Sequence, residues 1–233
     1  MNMKKVLITG STGAIGEATA REFSANGYFV YLHYRSNAAK AESLKSELKN
    51  AETIGFDITD KDAVYSALEN LEVDVLVNNA GITKDALFFF MEDDDFTSVI
   101  DTSVNGTYYV TKALMRNMIK NKRGSVVNVA SVSGLVGNPG QTNYSAAKGA
   151  MIAFTKALSA EVARYGIRIN AVAPGLIASE MTEALDLKEI KKTIPLKRIG
   201  KASEVADCVF FLADKATFVT GETLNISGGM VRT

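Results

Sequence analysis

The sequence predicts an α/β fold in which a doubly wound parallel sheet of about seven strands is covered by helices on both faces. Short apolar runs alternate with longer helical patterns from one end of the chain to the other, which is typical of βαβ units. A glycine-rich turn follows the first apolar run. The 233 residues include three prolines and no linker-like or repeated stretch, so we predict one domain over residues 1–233.

Each strand is predicted from an apolar, β-prone run bounded by turn residues. In chain order the predicted strands are 5–9, 28–34, 52–56, 73–78, 125–130, 167–173 and 223–226. The helical patterns between them cover 14–26, 38–50, 60–70, a long stretch ending near Lys122, 142–165 and 202–214. Right-handed crossovers place the carboxyl ends of the strands along one edge, where we expect the ligand crevice.

One segment, at about 176–197, fits this alternation poorly. It is polar and helix-prone, and it follows Pro174-Gly175. Two interpretations stay open: a mobile flap over a substrate site, or an ordinary pair of surface helices.

Composition excludes several classes of protein. Lys plus Arg and Asp plus Glu number 26 each, so no global field attracts nucleic acid or an anionic membrane. No apolar run approaches the length of a membrane span, and the few residues before the first strand are too short for a signal peptide. A single cysteine, Cys208, and a single histidine, His33, indicate no internal disulfide and no metal site. We therefore expect a soluble cytoplasmic protein.

The turn after the first strand has the composition of a dinucleotide-binding site. Gly10, Gly13 and Gly16 lie between an apolar strand and a helix, where the backbone can approach a pyrophosphate at the helix N-terminus. NAD sites usually present an acid after the second strand, but this strand ends in His-Tyr-Arg-Ser. Arg35 can meet a 2′-phosphate there, so the sequence favours NADP over NAD.

Tyr144 and Lys148 are the candidate catalytic pair. In a helix they share one face, and an ammonium one turn away favours the phenolate and is expected to lower the pKa of the phenol. From the spacing alone, an ordinary surface pair is also possible. Ser131 ends the fifth predicted strand, at the edge where a nicotinamide is expected.

Six stretches in the same order resemble the short-chain dehydrogenase/reductase family. They are TGSTGAIG at 9–16, Asp57 after the third strand, NNAG at 78–81, Ser131, YSAAK at 144–148 and PG at 174–175. The resemblance implies a Rossmann-type fold. Within the family, the stretches at 73–85, 137–148, 169–182 and 219–230 are most similar to reductases of 3-oxoacyl groups carried on acyl carrier protein.

The resemblance implies NADPH-dependent reduction of a 3-oxoacyl thioester, as in fatty-acid or related acyl-chain synthesis. Tyr144 would be the general acid, Lys148 would also hold the nicotinamide ribose, and Ser131 would bind the carbonyl oxygen. Two alternatives stay open: a dehydrogenase for another small alcohol or ketone, of the sugar or steroid type, and a non-catalytic dinucleotide sensor. The implied cofactor contacts are Gly10, Ser11, Thr12, Gly13, Ile15, Gly16, Arg35, Asp57, Ile58, Asn79, Ala80, Gly81, Tyr144, Lys148, Pro174, Gly175 and Ile177.

The chain departs from the family pattern at two positions. Ser103 stands where the family carries a catalytic Asn that holds a water in a proton relay from Lys148, so we expect slower proton resupply. Asn105, two residues along the helix, would point to a different side and is not a substitute. Gly13 stands where related NADP-dependent enzymes often have Arg or Lys, which leaves Arg35 to carry the preference.

The segment after Tyr144 is apolar nearly all the way round the helix, which indicates a second buried face. Family members commonly form tetramers through this helix, so the resemblance implies a homotetramer. An acidic carrier protein also needs a local basic patch. The candidate residues for that patch are Lys120, Lys122, Arg123 and Arg164.

Overall fold

The computed structural model describes residues 3–179 and 192–232, and these form the α/β fold that the sequence predicts. Every strand pair of the sheet is parallel, and the strand order is β3-β2-β1-β4-β5-β6-β7. The strands are β1 (Lys5–Ile8), β2 (Phe29–Tyr34), β3 (Ala51–Gly55), β4 (Val75–Asn78), β5 (Gly124–Val129), β6 (Ile167–Pro174) and β7 (Thr223–Ile226).

Helices connect the strands and cover both faces of the sheet. The α-helices are α1 (Ala14–Ala25), α2 (Ala38–Glu47), α3 (Lys61–Leu68), α4 (Asp93–Ile100), α5 (Gly106–Asn121), α6 (Ser133–Val136), α7 (Thr142–Val162) and α8 (Ala202–Phe210). Within the described ranges, no helix combines the length and the apolar character needed to cross a membrane.

Alternate side chains of each strand point to opposite faces of the sheet, where two separate hydrophobic cores lie. Val6 and Ile8 of β1 pack into a core with side chains of α1, α2 and α8, whereas Leu7 packs on the opposite face with α3, α5 and α7. Successive side chains of a strand point to opposite faces, so a buried parallel strand must be apolar along its whole length.

The crevice lies where the winding of the sheet reverses. The chain runs outward from β1 to β2 and β3, then crosses back to β4 on the other side of β1. Loops after β1 and β4 therefore diverge to opposite faces and leave an opening between them, which is where open α/β sheets bind ligands. The glycine-rich turn and the Asn-Asn-Ala-Gly stretch at 78–81 border this opening.

The long predicted helix ending near Lys122 is instead two helices. A π-helical segment, Asp101–Asn105, joins α4 to α5 and carries Ser103. A second π-helical segment, Phe211–Lys215, follows α8, so the helix predicted to reach residue 214 ends at Phe210. Such wide turns come from one extra residue per turn, which apolar periodicity does not reveal, and they are frequent at functional sites.

Of the predicted flap, only residues 176–179 and 192–197 are described. Ile177 forms a parallel bridge with Gly200, and the amide of Gly200 donates to the Leu176 carbonyl at 2.9 Å. The rest of that prediction lies outside the described residues.

Candidate active site

The glycine-rich turn is closed tightly against its neighbours. Gly10 has φ +62°, in the left-handed region, and an added Cβ there would lie 2.9 Å from the Ala80 Cα. A Cβ at Gly16 would lie 2.4 Å from the Gly10 carbonyl oxygen. Gly13 differs, because its Cβ would meet only an ordinary contact at 3.6 Å. Two of the three glycines are therefore sterically required, and the third is not.

The start of α1 is open to an anion. Gly13 is its N-cap residue and provides no side-chain cap, whereas Asn37 caps α2 and Asp60 caps α3 through their side-chain oxygens. The first-turn amides of a helix have no intrahelical acceptor, so those of α1 can serve a phosphate.

His33 borders the turn, a position that the sequence did not indicate. The imidazole is buried, with Nδ1 accepting from the Gly10 amide at 3.1 Å and Nε2 lying 2.9 Å from the Phe56 carbonyl oxygen. The main-chain carbonyl of His33 accepts from both the amide and the hydroxyl of Ser11, at 2.9 and 3.0 Å. Burial lowers the pKa of His33 to about 4, so the ring is neutral near pH 7.

Asn79 holds the other side of the turn. Its Nδ2 donates to the carbonyls of Thr9 and Gly10, at 3.0 and 2.9 Å. The Thr9 hydroxyl in turn accepts the amides of Asn79 and Ala80, both at 3.0 Å. Asn79, predicted as a cofactor contact, therefore uses its side-chain N–H groups and its main-chain amide to hold the turn.

Arg35 and Asp57 flank the end of the cavity beyond the turn. Arg35 is exposed, as a residue that meets a phosphate from solvent would be. Burial would raise the pKa of Asp57, but hydrogen bonds from Thr59 and the charge of Arg35 outweigh it, so the pKa lies below its ordinary value. The Asp57 carboxylate accepts from the amide and hydroxyl of Thr59, at 2.9 and 2.8 Å.

Ser131, Tyr144 and Lys148 meet at the opposite end of the cavity. Tyr144 and Lys148 lie one turn apart on α7, as predicted, and Ser131 follows β5. The Lys148 ammonium lies 5.5 Å from the centroid of the Tyr144 ring and donates to the Val129 carbonyl at 2.7 Å. All three line one cavity with the glycine-rich turn.

The pKa of Tyr144 is raised in the structure, and not lowered as the sequence predicted. Burial raises the pKa of Tyr144 above its ordinary value, and a hydrogen bond with Ser131 offsets this only in part. Lys148 is itself buried, which lowers its pKa to about 8. Its ammonium lies over the ring face and bonds to a main-chain carbonyl, so the desolvation of the phenolate dominates.

A buried polar network orients α7, the helix that carries Tyr144 and Lys148. Asn128 of β5 accepts from Asn78 of β4 at 2.9 Å and donates to Thr155 of α7 at 2.8 Å, while Asn78 also donates to Thr111 of α5 at 2.9 Å. These side chains are almost fully buried. The network therefore fixes α7, and with it Tyr144, relative to the strand that precedes Ser131.

The N-terminus of α7 is held separately by Asn143. Its Oδ1 accepts the Tyr144 amide at 2.7 Å, and its Nδ2 donates to the Lys84 carbonyl at 2.8 Å. The sequence analysis missed Asn143, Asn128 and Thr155, because their partners are remote in the chain.

Ser103 does not line the cavity, although it lies close behind it. Its hydroxyl is fully buried and has no hydrogen-bond partner in the described part of the chain. A Cβ on Gly81 would lie 3.4 Å from the Lys148 Nζ and 3.7 Å from the Ser103 Oγ, so both groups border the same space. Asn105 points elsewhere, donating to the Asp101 carboxylate at 2.7 Å, as the sequence indicated.

The cavity has a volume of about 970 Å³ and brings most of the predicted site together. Ser11 and Gly16 do not line it; they shape the turn from behind. Lining residues that the sequence analysis did not identify include Ser36, Thr83, Gln141, Met230 and Val231. The predicted residues that line it are Gly10, Thr12, Gly13, Ile15, Arg35, Asp57, Ile58, Asn79, Ala80, Gly81, Ser131, Tyr144, Lys148, Pro174, Gly175 and Ile177.

The predicted basic patch lies away from this cavity. Lys122 and Arg123 precede β5, whereas the cavity is at the carboxyl ends of the strands. Arg164 follows α7, about 30 Å along the helix from Tyr144 at 1.5 Å per residue. Arg123 pairs with Asp74 at 3.0 Å, and Arg164 stacks on the Tyr165 ring at 4.8 Å. Within this chain, Lys122, Arg123 and Arg164 therefore do not flank the cavity.

Comparisons with known proteins agree with this geometry. Residues 4–190 match the family model described as short chain dehydrogenase. A 3-oxoacyl-[acyl-carrier-protein] reductase of Synechocystis sp. is 41% identical, over 97% of this chain and 96% of the relative. A protein of the same name from Haemophilus influenzae is 40% identical, over 99% of both chains. Nodulation protein G of Rhizobium meliloti is 42% identical, over 97% of this chain and 96% of the relative.

Proposed function

The chain belongs to the short-chain dehydrogenase family, and we propose that it reduces 3-oxoacyl thioesters, carried on acyl carrier protein, with NADPH. The observation that carries the proposal is the single cavity shared by the glycine-rich turn and by Ser131, Tyr144 and Lys148. Relatives named for this reaction, at about 40% identity over nearly the whole chain, support the substrate class.

The residues present fit a nicotinamide dinucleotide. The turn has no room for a Cβ at Gly10 or Gly16, and the first-turn amides of α1 face the cavity without a side-chain cap. The glycine-rich turn, Asp57 and Asn79 would hold the adenosine and pyrophosphate, and Lys148 and Ile177 the nicotinamide end. When bound, the reduced nicotinamide supplies a hydride.

Tyr144 donates a proton to the substrate carbonyl oxygen as negative charge develops there. Its raised pKa keeps the phenol protonated near pH 7, which suits an acid in the direction of reduction. Ser131 donates a hydrogen bond to the same oxygen, and such a preplaced donor stabilises the developing charge. Lys148, with a pKa of about 8, is mostly protonated at pH 7 and can return a proton to Tyr144.

Ser103 is proposed to take part in proton resupply. Lys148 uses two of its three N–H groups on the Val129 carbonyl and the Met151 sulfur, within the described part of the chain. The third N–H and the buried Ser103 hydroxyl border the space beside Gly81. A serine hydroxyl can both donate to and accept from a water in a relay, although it reaches less far than an asparagine amide.

The preference for NADP rests on Arg35. Its exposed guanidinium lines the cavity at the end of β2, and the chain carries no acid on that strand end. Asp57 is the nearby carboxylate, and it is engaged by Thr59. Guanidinium groups bind phosphates with paired hydrogen bonds, so a 2′-phosphate is favoured over a bare hydroxyl.

Assembly as a cytoplasmic homotetramer is also proposed. The outer face of α7 exposes Ala146, Ala153, Ala157 and Ala160. A separate apolar surface lies beside the edge strand β7, where Phe218 is fully exposed. Two distinct self-complementary surfaces are what a tetramer with dihedral symmetry requires. In such an assembly, the basic residues near Lys122 and Arg164 would contact an acyl carrier protein that is bound at the cavity of another protomer.

The test is the oxidation of NADPH and, separately, of NADH by the purified protein. The substrates are acetoacetyl-acyl carrier protein, acetoacetyl-coenzyme A and a panel of small ketones. The proposal predicts that a thioester is turned over, and that its rate with NADPH is at least ten times its rate with NADH. Turnover of small ketones alone would overturn the substrate class in favour of another dehydrogenase. Cofactor binding without turnover of any substrate would favour a sensor.

A further inference from the structure

We propose that His33 is the positioning residue of the adenosine end of the cofactor site. This inference deepens the proposed function, because it assumes that the cavity binds a dinucleotide. Its basis is the position of one buried imidazole on β2, between the turn after β1, where Gly10 lies, and the end of β3, where Asp57 follows.

The imidazole joins the segments after β1 and β3, two strands that do not pair with each other in the sheet. On one side it accepts from the Gly10 amide at 3.1 Å, at the turn after β1. On the other side it bonds to the Phe56 carbonyl at 2.9 Å, and the next residue after Phe56 is Asp57. The ring also packs on Phe56 with 4.2 Å between centroids. His33 therefore sets the spacing between the phosphate-side turn and the adenine-side carboxylate.

Only one form of the ring can make both bonds. The Gly10 amide is a donor, so Nδ1 must be unprotonated, and the Phe56 carbonyl is an acceptor, so Nε2 must carry the proton. A neutral ring with its proton on Nε2 meets both requirements without a charge in the interior. Asn and Gln can each reproduce one of the two bonds, because their amides reach the positions of Nδ1 and Nε2 respectively.

The two peptide groups on either side of Gly10 are then both held. The Gly10 amide donates to His33, and the Gly10 carbonyl accepts from the Asn79 side chain at 2.9 Å and from the Gly13 amide at 3.2 Å. Since Gly10 occupies the left-handed region at φ +62°, a peptide with a free amide could rotate away. A turn already held in its binding geometry avoids an ordering cost when the ligand binds.

The first test compares His33→Leu, His33→Asn and His33→Gln by fluorescence titration of NADPH without substrate. We expect His33→Leu to weaken NADPH binding by tenfold or more. His33→Asn should recover most of the affinity, because its amide oxygen can accept from Gly10, and His33→Gln should recover less. Val30→Ala, a buried substitution on the same strand, is the control: it should lower the melting temperature without changing NADPH affinity.

The second test needs no variant. His33 is the only histidine, so protein labelled with nitrogen-15 histidine reports on this ring alone. We expect the neutral form with the proton on Nε2 at pH 7, and a shift of the Nδ1 resonance on addition of NADPH. A proton on Nδ1, or equal affinities for the Leu and Asn variants, would overturn the proposal. Because both tests omit the ketone, a wrong substrate class would leave their results unaffected.

Discussion

The turn region around Gly10 and the proposed catalytic region around Lys148 border the same cavity. They differ in whether their buried polar groups have hydrogen-bond partners. Around Gly10, the amide, the carbonyl and both nitrogens of His33 all have partners. Around Lys148, the Ser103 hydroxyl has no partner in the described part of the chain. Buried polar groups are normally satisfied, so an unsatisfied one indicates a role toward a ligand or a reacting group. The turn region therefore has its polar groups in fixed hydrogen bonds before a ligand binds. The catalytic region keeps one buried hydroxyl that can still bond to a ligand or a water.

The largest effect should come from the catalytic region. Tyr144→Phe removes the proposed acid, and we expect kcat to fall by about 10²- to 10⁴-fold. The Kd for NADPH should change by less than about threefold, because the turn region is untouched. Steady-state absorbance and fluorescence titration measure the two quantities. Tyr165→Phe, beyond the far end of α7, is the matched control, and a Tyr144→Phe enzyme within tenfold of the wild type would contradict the assignment.

The next effect concerns the stability of the turn region. The pKa of His33 is lowered from 6.5 to about 4 in the folded chain, so below pH 6.5 the unfolded chain binds a proton that the folded chain does not. The free energy of unfolding should therefore fall as pH drops from 6.5 to 4, by about 3 kcal/mol, and should level off near pH 7. Urea unfolding across this range measures the slope.

His33→Asn is the matched comparison for that slope. It removes the only histidine. The carboxyls of Glu204 and Asp214, whose pKa values are lowered to about 2 in the folded chain, contribute only as pH nears their ordinary values of 4.5 and 3.8. The variant should therefore be nearly flat between about pH 6.5 and 5.5. Equal slopes in the two proteins would show that the imidazole is not held neutral by the fold.

A smaller effect should distinguish Gly16 from Gly13 in how much an added methyl group weakens NADPH binding. Gly16→Ala places a methyl group 2.4 Å from a main-chain oxygen, so the turn must move, and we expect the Kd for NADPH to rise by about tenfold or more. Gly13→Ala meets only a contact at 3.6 Å and should cause a much smaller loss. Calorimetric titration measures the Kd for NADPH of both variants. Equal losses of affinity would mean that the flexibility of these glycines, rather than the close approach of neighbouring atoms, makes them necessary.

The smallest effect tests the unsatisfied group in the catalytic region. Ser103→Ala should lower kcat by less than about fivefold if the hydroxyl assists proton resupply. Removing an unpartnered buried hydroxyl should also stabilise the fold, by up to about 1 kcal/mol. Turnover and urea unfolding are measured together. A more stable variant with unchanged kcat would assign Ser103 no role in the relay.

Local sequence patterns were enough to predict the parallel sheet, the glycine-rich turn and the shared helix face of Tyr144 and Lys148. These depend on periodicity and short spacing, which act within a strand or a helical turn. Such patterns did not reveal the π-helical segment that carries Ser103, because one added residue per turn hardly changes the apolar pattern.

Tertiary structure alone decided the partners of the buried polar groups. His33 meets Gly10 and Phe56 because β1 lies between β2 and β4 and because β3 adds outside β2. The same strand order brings Asn128 against α7 and puts Arg164 at the edge away from the cavity. The raised pKa of Tyr144 also follows from burial, which the hydrogen bond with Ser131 offsets only in part. Hydrogen bonds and desolvation depend on which distant segments meet, and local sequence does not encode that.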